Sequence, residues 1–117
     1  MAYVDGFVIA LPKANIEAYK AFAKLAGEVW MEHGALAYVE CLADDVPMGE
    51  VTSFPRSVQA KDDEVVVFSW VTYRSRADRD EIMAKVTADL RLPQDPSTMP
   101  FDGKRMIFGG FESFLAL

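Results

Sequence analysis

The sequence predicts an α+β fold of ferredoxin-like type: βαββαβ, with a four-stranded antiparallel sheet and two helices on one face. Three observations carry this expectation. An apolar strand, a helix-period segment and a second apolar strand follow one another twice along the chain. Two right-handed β-α-β units folded together place both helices on the same side of one sheet. The strands are apolar on both faces, which a small sheet covered by two helices cannot satisfy alone. With 117 residues, 51% of them hydrophobic, a single domain over residues 1–117 has enough apolar material for one core.

The first strand is read over residues 3–11, rich in Val, Ile and aromatics and closed by Pro12, which cannot continue a central ladder. Asn15 is the expected N-cap of helix one. Behind it Ile16, Tyr19, Phe22, Ala26, Val29, Trp30 and His33 recur at spacings of three and four, and Gly34 is the expected left-handed residue past the helix end. In the second strand, residues 36–42, Leu36, Tyr38, Glu40 and Leu42 share one face, and Ala37, Val39 and Cys41 the other. Residues 43–64 form a long connection with Pro47, Gly49 and Pro55, in which residues 51–54 read as a short extended piece.

The third strand, residues 65–73, is apolar on both sides. Ser75 and Asp78 resemble a capping box for helix two, whose buried stripe is Ile82, Val86 and Leu90, with Glu81 and Lys85 as an i,i+4 pair. Prolines 93, 96 and 100 make residues 91–103 a loop that ends in an Asp102-Gly103 turn. The last strand is read over residues 104–115, and Gly109-Gly110 within it implies a bulge or a close backbone approach.

The formal charge of −6 and pI near 4.7 oppose binding modes that neutralise phosphates, so neither nucleic acid nor an anionic membrane is an expected partner. A lone cysteine excludes an internal disulfide and points to a reducing cytoplasm; the N-terminal segment lacks a signal-peptide pattern, and no apolar run reaches the roughly 20 residues needed to span a bilayer. Two-sided apolar strands leave a patch larger than monomers usually expose. A homodimer is therefore expected, burying that face against a twofold copy.

Six stretches support a resemblance: Tyr3-Val4-Asp5-Gly6-Phe7, His33-Gly34-Ala35-Leu36, Tyr38-Val39-Glu40-Cys41, Val51-Thr52-Ser53-Phe54-Pro55, Val67-Phe68-Ser69-Trp70, and the run from Met99 to Met106 that reads MPFDGKRM. In this order they resemble the uncharacterised bacterial YbaA-like family of the dimeric α+β barrel superfamily. The resemblance covers nearly the whole chain. It implies a barrel built from two sheets with helices outside, and brings with it no established activity or catalytic residue.

The candidate catalytic residues are His33 and Glu40. His33 is the one histidine; imidazole, with an ordinary pKa of about 6.5, suits acid–base work, and a place in the last turn of a helix suits it as a cap. Glu40 and Asp5 are carboxylates inside strands. Each needs a partner, for which Arg105, Arg74 or Lys104 are available, or a pocket in which it moves protons. Binding candidates are Trp30, Tyr38 and Trp70 around a pocket between helix one and the sheet, Ser53, Phe54 and Arg56 in the long loop, and Asp102, Lys104 and Arg105 at the last turn. Cys41 reads as a small buried hydrophobe.

No metal-ligand spacing, glycine-rich nucleotide loop or nucleophile elbow is present, so neither a metal nor a tightly held cofactor is expected. Two function classes follow. One is a protein that binds or converts a small organic metabolite in that pocket; the other is a non-catalytic homodimer with an interaction or stress-associated role.

Overall fold

The computed structural model describes residues 2–117. Its strands are β1 (Tyr3–Pro12), β2 (Ala37–Leu42), β3 (Glu64–Tyr73) and β4 (Ile107–Glu112); its helices are α1 (Ile16–Glu32), a single turn α2 (Phe54–Ser57), and α3 (Arg76–Ala88). The sheet order is β2-β3-β1-β4 and every neighbouring pair is antiparallel, the arrangement expected of two interleaved β-α-β units. Odd-numbered residues of β1 and β3 face the long helices. Tyr3, Val71 and Tyr73 pack with Val29, Ile82 and Val86 at one end, and Ile9, Leu11 and Val67 with Tyr19 and Ala23 at the other.

Local chemistry accounts for most element ends. Past Pro12 the chain makes one 3-10 turn, Lys13–Asn15, before α1 begins. Asn15 does not cap the helix as expected: its Nδ2 donates to the Pro100 carbonyl at 2.8 Å and ties the late loop to the start of α1. Gly34 has φ +117 and closes α1 as expected. The Ser75 hydroxyl accepts from the Asp78 N–H at 3.1 Å, and Glu81 and Lys85 pair at 3.4 Å. Leu90 departs from the expected stripe. The helix stops at Ala88 because Asp89 turns extended, and Leu90 is left 87% exposed.

The second sheet face is partly covered by the long connection. Val58, only 1% exposed, packs on Val8, Ala10 and Val66, with Ala43 and Ala60 beside it. Residues 51–54 do not form the expected extended piece: Val51 is exposed, and Ser53 caps the turn α2 by accepting from the Arg56 N–H. The Arg105 guanidinium anchors this connection, donating to both Glu64 carboxylate oxygens at 2.8 and 2.7 Å and to the Gln59 carbonyl.

β4 is shorter than residues 104–115. Gly109 and Gly110 pair in unbroken register with Gly6 and Asp5, so there is no bulge; the alternative, close approach, is what occurs, since a Cβ on Gly110 would run into the Tyr3 hydroxyl and the Arg79 guanidinium. Beyond the reach of Val58 the face stays open, and Phe68, Ile107 and Phe111 are 43%, 44% and 66% exposed. Cys41 is exposed rather than buried because β2 is an edge strand and its outward parity meets no helix. Among the described residues no helix is long and apolar enough to cross a membrane.

Candidate functional site

The site forms where α1 crosses β2. Period two puts Tyr38 and Glu40 on the helix side of β2, opposite Val71 and Ser69 of β3, and period 3.6 puts Tyr19 on the inner stripe of α1. The Tyr19 hydroxyl donates to Glu40 Oε1 at 2.7 Å and the Tyr38 hydroxyl to Oε2 at 2.6 Å. Burial, reinforced by the negative charge of Glu40, pushes both phenols far above their ordinary range, so each stays a proton donor at any physiological pH. A carboxylate offers about four acceptor positions. Two remain after the tyrosines are served.

These three side chains line two cavities. The larger, about 550 Å³, opens between α1 and β2 and is walled by Leu11, Ile16, Ala23, Met31, Leu42 and Val67, with Lys20, Lys24 and Glu28 also on its lining. The smaller, about 150 Å³, lies toward the middle of the sheet among Phe7, Phe22, Trp30, Phe101, Met99 and Met106. Room for the first depends on Gly27, on which the Tyr38 ring rests: a Cβ there would stand 2.8 Å from a ring carbon.

A second polar network lies at the far end of the sheet. Trp30 Nε1 donates to the Tyr73 hydroxyl at 2.9 Å, Arg79 donates to the Tyr3 hydroxyl at 3.0 Å, and the Arg79 Nε stands 3.6 Å from Asp5. Burial raises the Asp5 carboxyl above its usual range, offset in part by Tyr73 and Arg79. The strand carboxylates thus take different partners: Asp5 has Arg79 and Tyr73, Glu40 has two phenols, and Arg105 serves Glu64 instead.

Comparison with known proteins places the chain. A family model described as a protein of unknown function, DUF1428, matches residues 2–103. The chain belongs to the DUF1428 family. Relatives called uncharacterized protein YbaA, from Escherichia coli K12, Escherichia coli O157:H7 and Shigella flexneri, are each 50% identical over 115 residues, covering 98% of both chains. The resemblance carried by the six stretches is family membership.

In this DUF1428 chain the candidates named from sequence separate into groups. Tyr38 and Glu40 line both cavities and Trp30 lines the smaller; Trp70 borders the smaller too, but strand parity turns its ring to the opposite sheet face, 5.5 Å from Phe68, and not into the pocket expected for it. His33 lines neither: it caps α1 and holds Asp89 Oδ2 at 3.0 Å, in a cluster where Arg91 bridges Asp89 and Glu32. Ser53 and Arg56 serve the loop itself, Arg56 donating to the Met48 and Gly49 carbonyls. Phe54 lines a separate hollow of about 190 Å³ on the other sheet face. Asp102 accepts from Arg105 at 3.0 Å and from the Lys104 N–H, closing the last turn. Among the described residues no cluster of His, Cys, Asp and Glu is placed to hold a metal ion.

Sequence reasoning counted Tyr19 only as an apolar stripe residue. A phenol in a buried stripe needs an acceptor, and an inward strand carboxylate needs donors; those two needs together were the available signal.

Proposed function

We propose that this protein binds a small, largely apolar organic molecule in the cleft between α1 and β2, held at its polar end by Glu40 and the two tyrosines. The observation that carries the reading is the 550 Å³ cavity, whose mainly apolar wall holds the cluster of Glu40 and the two tyrosines, with Lys20, Lys24 and Glu28 of α1 also on its lining; small-molecule sites span about 300–1,000 Å³. The two free acceptor positions of Glu40 select an O–H or N–H donor on the ligand. If the bound molecule is also converted, Glu40 is the group placed to take a proton from it and return it. The exposed thiol of Cys41 fits a reducing cytoplasm.

Calorimetric titration with indole, an apolar probe with one N–H donor, tests the reading. Saturable binding is expected, weakened on the order of tenfold by Leu42→Arg, which sets a charge on the cleft wall at an exposed position. Absence of saturable binding, or equal binding by the variant, overturns it.

A second reading concerns association. The open sheet face with Phe68, Ile107 and Phe111 supports a homodimer in which a second copy covers it.

A further inference from the structure

The smaller cavity has a chemistry of its own. Its walls are aromatic on two sides. Tyr19, Phe22 and Phe101 form one group, with ring centroids 5.7 to 6.3 Å apart in tilted and edge-on pairs, and Trp30 and Tyr38 form the other at 5.7 Å. Glu40 joins the groups by accepting one hydroxyl from each. Met99 and Met106 add polarisable thioethers, the hydroxyl-bearing Ser69 sits opposite Glu40, and Glu40 is the one charged residue on the lining.

Aromatic faces attract cations through the ring quadrupole, and a half-buried carboxylate among them strengthens the preference. A neutral alkyl group would fill the space equally well and leave Glu40, hydrogen-bonded to two phenols, without a counter-charge. The volume, about 150 Å³, suits a headgroup rather than a whole drug-sized molecule.

We propose that the smaller cavity is an aromatic cage for an alkylated ammonium group, and that the ligand of this protein is a small organic cation. This deepens the binding reading above and rests on it. The ammonium sits among Tyr19, Phe22, Trp30, Tyr38 and Phe101, with Glu40 as counter-charge. The rest of the molecule extends past the tyrosines into the larger cleft, whose wall those tyrosines also form.

The test compares choline with 3,3-dimethyl-1-butanol, its uncharged counterpart of the same shape, in NMR chemical-shift titrations of the intact protein. Choline is expected to bind tighter by on the order of tenfold, with the largest shifts at the Trp30 indole N–H, and Glu40→Gln to remove most of that preference. The comparison in the unaltered protein needs no variant, so a folding defect in Glu40→Gln leaves it intact. Equal binding of the two compounds overturns the cage. So does failure of both while indole still binds, and that outcome leaves the cleft reading standing. Failure of all three probes overturns both.

Discussion

Glu40 and Glu64 are both strand carboxylates, and their partners give them different duties. Glu64 receives two N–H groups of Arg105 and the backbone N–H of Lys61, which together hold its pKa down to about 2 against an ordinary 4.5, with burial opposing. Its stabilising contribution is therefore complete above pH 4.5 and disappears as pH falls toward 2. Chemical denaturation across that window should show stability falling with acid, and Arg105→Gln should both lower stability at neutral pH and flatten that part of the profile. An unchanged acid slope in the variant would show that the pair does not matter to folding. Glu40 has no guanidinium against it and faces a cavity. Its inward parity was legible from the alternation of β2, as were Tyr38 and the helical stripe that holds Tyr19. Which hydroxyl meets which oxygen was not, because that depends on how α1 crosses β2, and a one-dimensional period carries no crossing angle.

At the scale of elements, Gly27 decides how closely α1 lies on β2. Alanine is a better helix former by about 1 kcal/mol, yet a Cβ here would press on two Tyr38 ring carbons at 2.8 and 3.0 Å, and overpacking costs about 1–3 kcal/mol. Gly27→Ala should thus lose stability in urea denaturation despite its gain in propensity, and loosen the Tyr38 hydroxyl from Glu40. A gain in stability would mean that the ring moves aside freely. Helix positions and the Ser75 and Gly34 ends were readable because each rests on short-range chemistry, and the antiparallel ferredoxin-like sheet followed from the handedness of the two β-α-β units. The errors fall where tertiary contacts override it. Asn15 is drawn away to Pro100, α3 stops before Leu90, and residues 51–54 coil into the start of α2 once Val58 is seated on the sheet.

For the whole molecule the open sheet face is the dominant unsatisfied surface, and burying apolar area gains roughly 25 cal/mol per Å². Native mass spectrometry should find a dimer, and Phe111→Asp, which puts a charge on that face, should yield a folded monomer. A wild-type monomer at tens of micromolar would refute the association. The two tryptophans fall on opposite sides of the sheet: Trp30 bonds to Tyr73 under the helices, while the Trp70 ring lies 5.5 Å from Phe68 on the open side. The protein therefore carries two native optical reporters. With Trp70 replaced by Phe, emission follows events among the helices, and with Trp30 replaced, events on the open face. Occupancy and subunit pairing become separable by colour and intensity in a single cuvette, without any label.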